Sequence, residues 1–102
     1  MKRTFLIFFL LASVNYFAGA QQLVEKEGKY LLNGEPYSGT WVTYFDSGNV
    51  KMEAKFKDGL KNGKTYIYFD NGQLNEIRSY KNNKMDGKWV MYNDHNIKIS
   101  IA

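Results

Sequence analysis

A segment of 24 residues recurs along the chain, and this period constrains the fold more than any other feature of the sequence. Residues 39–62 align with residues 63–86 without a gap, and six positions are identical. These are Gly39/Gly63, Tyr44/Tyr68, Phe45/Phe69, Asp46/Asp70, Gly48/Gly72 and Lys57/Lys81. A third, shorter copy starts at Gly87 and keeps Trp89, Tyr92 and Asp94 in register. The chain is therefore predicted to be a tandem array of one small structural unit.

Each copy has the sequence pattern of a β-hairpin. In the first, residues 40–45 are rich in β-branched and aromatic residues, residues 46–49 carry turn residues, and residues 50–57 alternate between apolar and charged side chains. The second copy repeats this pattern at residues 64–69, 70–72 and 74–81, and the third at residues 88–92, 94–96 and 97–101. The alternation indicates half-buried strands with one face toward a core.

The alternation is weaker in the second return strand, because Glu76 and Arg78 share the face of Leu74 and Tyr80. Two interpretations stay open. Either a β-bulge shifts the register, or these charged side chains pair with each other at the edge of the core.

The turns are expected to repeat one backbone conformation, although the residue that adopts it differs between copies. Asn96 stands where the first two copies have Gly48 and Gly72, and Asn83 stands where the first copy has Gly59. Asparagine tolerates positive φ better than most residues, so all of these positions are predicted to adopt it. The aspartates Asp46, Asp70 and Asp94 are predicted to accept hydrogen bonds from backbone amides of their own turns.

These patterns predict an all-β protein, a single elongated antiparallel meander sheet of about seven strands. A half unit spans residues 29–38, with a first strand at 29–32 and a turn at Asn33-Gly34, and the truncated last unit spans residues 87–102. The polar residues 21–28 show no apolar period and are predicted to form a flexible N-terminal segment.

Residues 1–20 have the pattern of a cleavable signal peptide: Lys2 and Arg3, an apolar run over residues 5–12, and small residues at 18–20. This predicts export, to a periplasm or out of the cell, with the uncleaved membrane anchor as the alternative. Without residues 1–20, twelve basic residues face ten acidic ones, and this near balance argues against a nucleic-acid partner. The chain has no cysteine, so disulfides cannot contribute to stability.

The sequence offers no catalytic constellation, cofactor motif or metal-ligand cluster, so a non-enzymatic protein is expected. His95 is the only histidine and lies in a turn. Each of the three turn aspartates lacks an acidic neighbour within its turn, and turn capping explains them better than calcium does.

A binding role is easier to support. Six aromatic residues recur in the first strands and form a candidate interaction surface: Trp41, Tyr44, Tyr66, Tyr68, Trp89 and Tyr92. The simpler alternative is that these rings close the core of a thin sheet. Ile97, Ile99 and Ile101 form a candidate edge strand with only Lys98 to discourage pairing, which predicts self-association or the acceptance of a partner strand.

The run Gly39 to Gly48, its echo Gly63 to Gly72, and the closing residues Lys57-Asp58-Gly59 resemble the MORN-repeat variant of bacterial exported proteins, whose members are often catalogued as antitoxin-like. The resemblance covers about residues 30–101, with Thr65 standing where the family prefers tryptophan. It implies side-by-side hairpins in one sheet that serves as a scaffold or protein-binding surface. An export signal argues against an antidote to a cytoplasmic toxin. The expected partner is another protein, and the alternatives are a carbohydrate, a lipid surface or a toxin.

Overall fold

The computed structural model describes residues 21–101, and the predicted signal peptide lies outside the described residues. Within that range the chain forms strands and turns without any helix. The ten strands are β1 Val24–Lys26, β2 Lys29–Leu32, β3 Glu35–Pro36, β4 Gly39–Tyr44, β5 Val50–Lys57, β6 Leu60–Lys61, β7 Gly63–Tyr68, β8 Leu74–Lys81, β9 Lys84–Tyr92 and β10 Lys98–Ile101.

Seven of these strands form one antiparallel sheet, in the order β4-β5-β7-β8-β9-β10, with the short β6 paired to β5. Apart from the short β6, strands that follow each other in the chain are neighbours in this sheet, as in a meander. The all-β class, the seven-stranded sheet and its tandem hairpins are therefore confirmed.

The structure adds a second sheet that the sequence did not predict. Strands β1, β2 and β3 form a separate three-stranded antiparallel sheet. The first predicted strand, at residues 29–32, is its central strand rather than part of the long sheet. The expectation for residues 21–28 is also corrected, because Val24–Lys26 forms β1 and pairs with β2 across the turn at Glu27 and Gly28.

The three long hairpins share one geometry. Their registers shift between Thr43 and Tyr44, between Ile67 and Tyr68, and between Met91 and Tyr92, always at the same place in the repeat. Each shift leaves one unopposed residue on the return strand, and these residues are Lys51, Asn75 and Ile99. The amides of Gly48, Gly72 and Asn96 donate to equivalent carbonyls three residues earlier, on Phe45, Phe69 and Asn93.

Two-residue turns connect one hairpin to the next. Asp58 and Gly59 have φ of 51° and 81°, and Asn82 and Asn83 have φ of 50° and 73°, as a type I′ turn requires. The predicted positive φ of Asn83 and Asn96 is confirmed. The Asn83 side chain has a further role, since its amide donates to the Gly28 carbonyl at 2.6 Å and its oxygen accepts from the Lys61 amide at 3.0 Å.

The two sheets meet on one face of the long sheet. Tyr30 lies 5.1 Å from Phe56 between ring centroids, and Tyr37 lies 6.0 Å from Phe56 and 5.4 Å from Trp41. The most buried apolar side chains are on this face, with Ala54 0% and Phe56 7% exposed. The predicted alternation in β5 is confirmed for residues 52–57, whereas the register shift at Lys51 places Val50 opposite Tyr44. The hydrophobic core therefore lies between this face and the three-stranded sheet.

Candidate interaction surface

The six predicted aromatic residues do not share one face, and this part of the prediction is corrected. Side chains alternate along a strand, and directly opposed residues of paired strands lie on the same face. Trp41 is opposed to Ala54 and Trp89 to Arg78, which places both tryptophans on the core side, here termed the tryptophan face. The opposite side, termed the tyrosine face, carries Tyr44, Tyr66, Tyr68 and Tyr92.

Paired charges explain the weak alternation of β8. The Arg78 Nε donates to Glu76 Oε1 at 2.9 Å, and the Trp89 Nε1 donates to the same oxygen at 2.8 Å. The Arg78 guanidinium also lies 4.7 Å from the centre of the Trp89 ring. Both interpretations left open for these residues are therefore confirmed, since the charges pair and a bulge at Asn75 shifts the register of the same strand. This part of the tryptophan face is a satisfied polar cluster.

Thr65 also lies on the tryptophan face, opposed to Arg78 and only 3% exposed. Its Oγ1 is buried and has no hydrogen-bond partner among residues 21–101. A buried hydroxyl without a partner loses its hydration without compensation.

Thr65→Val is therefore expected to raise the free energy of unfolding by about 1 kcal/mol, because it replaces this hydroxyl with a methyl group of similar size. Urea denaturation followed by fluorescence measures the change. Thr40→Val is the matched control, since Thr40 is exposed on the same type of strand and its variant should change little. A Thr65→Val variant that is less stable than the wild type would show that the hydroxyl has a stabilising partner.

An apolar row crosses the tyrosine face from β4 to β9. Each member is directly opposed to the next on the neighbouring strand. The row consists of Val42, Glu53, Tyr66, Ile77 and Val90. Its members from Val42 to Val90 are half-buried. The rings of Tyr30 and Tyr37 do not cover them, because these rings contact the tryptophan face. The face thus presents an apolar stripe that is interrupted at β5 by the carboxylate of Glu53.

Tyrosines flank this row on the side of the hairpin turns. Tyr44 is 61% exposed, whereas Tyr68 is half-buried beside the row. Burial raises the pKa of Tyr68 above its ordinary value of 10.0, and the nearby charges of Glu53 and Tyr66 raise it further. Since the folded pKa is the higher one, the stabilisation by the neutral phenol is complete below pH 10.0 and is lost as the pH rises through the folded pKa.

Lysines flank the row on the other side. Lys55 is opposed to Thr40, Lys64 to Ser79, and Lys84 to Lys81, all with the parity of the tyrosine face. The complete lysine band, every member of it exposed, is Lys55, Lys57, Lys64, Lys81, Lys84 and Lys88. None of these lysines has an acidic group within 4.0 Å in the described part of the chain. Like charges in one band repel each other, so the free protein keeps an unfavourable arrangement that an anionic group would relieve.

The turn aspartates do not cap their own turns, contrary to the prediction. Backbone amides of the turns are capped instead by Ser47, Asn71 and Asn93. The Asp70 carboxylate accepts from the Ser47 hydroxyl and, at 3.3 Å, from the Asn49 side-chain amide, so it links two successive turns. Among residues 21–101 no group of three or more potential ligands could hold a metal ion.

His95 lies at the tip of the last hairpin. Its side chain is 81% exposed and its Nε2 is 3.7 Å from Asp94 Oδ1. This is the solvated loop position that the sequence predicted.

The isoleucine strand lies at one edge of the long sheet. Strand β10 pairs only with β9 within the described chain, and Ile97 and Ile99 are 58% and 59% exposed. Ile97 precedes the strand, and the backbone of Ile101 is part of it.

Comparison with known proteins agrees with the repeat. The family model described as MORN repeat variant matches residues 37–58 and again residues 61–82. No curated protein and no solved structure matches the chain. In residues 21–101 there is no helix long and apolar enough to cross a membrane. The two matches, each covering one hairpin of the long sheet, identify the chain as a MORN-repeat variant protein.

Proposed function

We propose that this protein is an exported, non-enzymatic scaffold that binds another protein through its tyrosine face. MORN repeats are generally protein- or membrane-interaction modules. The observation that carries the proposal is the arrangement of this face, in which an apolar row lies between a band of tyrosines and a band of unpaired lysines. Such an arrangement favours a partner with an apolar ridge and an acidic border.

Protein partners are favoured over a flat anionic membrane because the face has three parallel bands. A lipid surface offers negative charge everywhere, and it would place anionic groups over the Glu53 carboxylate and the tyrosine band as well as over the lysines. A protein partner can instead match each band separately, which gives the selectivity that a scaffold requires.

The test compares two double variants with the same change in net charge. Lys64→Glu/Lys88→Glu reverses charge in the lysine band, whereas Lys26→Glu/Lys29→Glu reverses it on the three-stranded sheet. Tagged proteins produced from the full 102-residue chain are purified from their native envelope, and co-purifying proteins are quantified. We expect the first variant to lose its partner about tenfold or more and the second to keep it.

Equal loss in both variants would contradict a specific site on the tyrosine face. Glycan arrays and sedimentation with anionic phospholipid vesicles should give no signal, and a strong signal in either would instead support a carbohydrate- or lipid-binding module. Mass measurement of the exported protein tests the export step, because cleavage after Ala20 would remove residues 1–20.

A further inference from the structure

We infer that copies of this protein associate head to tail, with β10 of one copy pairing antiparallel with β4 of the next. The inference rests on the proposed scaffold function and names a second copy of this chain as a partner. It follows from the alternation of two kinds of strand in the long sheet: the first strand of each unit (β4, β7 and β9) and the return strand (β5, β8 and β10).

Inside the sheet, every return strand lies between two first strands. Strand β5 pairs with β4 and β7, and β8 pairs with β7 and β9. Strand β10 pairs with β9 alone, and β4 pairs with β5 alone, among residues 21–101. The two edges of the sheet are therefore the two halves of a junction that already occurs twice within the molecule.

The repeat also fixes the register of the missing junction. Met52 is opposed to Ile67 in the first internal junction, and Glu76 to Met91 in the second. Adding one further period of 24 residues to both members of the second pair gives Ser100 and the position that Thr43 would occupy in the next copy. The repeat therefore places Ser100 opposite Thr43 of the next copy. The same step places the backbone of Ile101 opposite Val42 of the next copy.

The β4 edge is open because β2, which lies one repeat period before the second half of β5, is short. The internal return strands β5 and β8 have eight residues each, whereas β2 has four. Strand β2 begins directly after the turn at Glu27 and Gly28, whose φ angles are 53° and 82°. The residues before this turn fold back to pair with β2 as β1, so they do not cover the edge of β4 at Val42 and Thr43. An uncovered strand edge leaves amide and carbonyl groups available for pairing.

The β10 edge has few features that discourage pairing. It contains no proline, Lys98 is its only charged residue, and the adjacent Ile97 and Ile99 are exposed. Pairing of β10 with β10 of another copy would place two return strands together, which occurs at no junction of this sheet. The head-to-tail contact uses two different edges, so it is not self-complementary, and continuation of one sheet through further copies predicts open oligomers whose length increases with concentration.

Engineered cysteines test the register directly, because the natural chain has none. Opposed residues on antiparallel strands have Cα atoms about 4.5–5.5 Å apart, which suits a disulfide. Within one copy, Thr43 and Ser100 lie on opposite edges of the sheet, separated by five strand spacings or about 24 Å, so they cannot bond to each other. Thr43→Cys/Ser100→Cys is therefore expected to give a ladder of disulfide-linked multimers on a non-reducing gel.

The matched control is Thr40→Cys/Ser100→Cys, whose first position lies three residues along β4 and on the tyrosine face. We expect at least about tenfold more multimer from the Thr43 pair than from this control, since only opposed residues meet the disulfide geometry. Equal yields from both pairs, no multimer from either, or covalent dimers from Ser100→Cys alone would each overturn the head-to-tail register.

Light scattering of the cysteine-free protein gives an independent measurement. Ile99→Lys adds a charge to the β10 edge and is expected to raise the dissociation constant of self-association about tenfold. The same variant should still co-purify with the partner of the tyrosine face. A wild type that stays monomeric at all concentrations overturns the inference, while loss of partner binding in the lysine-band variant continues to support the proposed scaffold function.

Discussion

Replacing Phe56 with alanine is expected to lower the free energy of unfolding by about 3–5 kcal/mol, because it removes a large ring from the centre of the core. Phe56 is 7% exposed, and its ring contacts those of Tyr30 in β2 and of Tyr37, which directly follows β3. Only Ala54 is a comparably buried apolar residue among residues 21–101. A domain of this size has a total stability of about 4–12 kcal/mol, so the variant should be partly unfolded under mild conditions.

Urea denaturation measures this loss, and Tyr44→Ala is the control. Tyr44 is an aromatic residue of the same long sheet, but it lies on the tyrosine face and is 61% exposed. Its removal should change the free energy of unfolding by about 0.5 kcal/mol, as is usual for surface positions. Similar losses in both variants would show that the tryptophan face is not the principal core, and the assignment of the two faces would be wrong.

The separation of the two faces could be predicted from the sequence because the repeat length is an even number. With a period of 24, residues at equivalent positions keep the same parity, and parity decides the face of a strand. Trp41 and Trp89 have odd numbers, whereas Tyr44, Tyr66, Tyr68 and Tyr92 have even numbers. Parity therefore separates the tryptophans from the tyrosines, and the grouping of all six on one surface missed this signal.

The three-stranded sheet could not be predicted in the same way. Strand β1 consists of Val24, Glu25 and Lys26, which are too few to show a period and are all exposed. The turn that pairs β1 with β2 has Glu27 at a positive φ of 53°, a conformation that glutamate rarely adopts. Side-chain contacts such as that of Asn83 with Gly28 stabilise this region, and they join residues 55 positions apart that no local pattern connects.

The turns show both the strength and the limit of sequence reasoning. Positive φ at Asn83 and Asn96 follows from the repeat, because the aligned residues are glycines. The direction of the Asp70 side chain does not follow, since it depends on the separation of two neighbouring turns in space. Local backbone geometry is thus encoded within each unit, whereas the bonds between units depend on how the units stack.

The position of the three-stranded sheet leads to the second large prediction, at Gly59. Its amide donates to the Tyr37 carbonyl and its carbonyl accepts from the Tyr30 amide, both at 2.8 Å, so this turn joins the two sheets. Its φ is 81°, and a Cβ at this position would lie 3.1 Å from the Tyr30 carbonyl oxygen and 3.3 Å from the Lys29 Cβ.

Gly59→Ala is therefore expected to lower the free energy of unfolding by about 2–3 kcal/mol, from backbone strain of about 1–2 kcal/mol and a combined weakening of the two hydrogen bonds by about 1 kcal/mol. Gly48→Ala separates these contributions, because Gly48 has φ of 96° but no atom within 4 Å of the added Cβ. It should show the strain alone. Urea denaturation compares the two variants, and amide exchange at Tyr30 reports the contact between the sheets. If both variants lose the same stability and Tyr30 stays protected, the three-stranded sheet does not dock through Gly59.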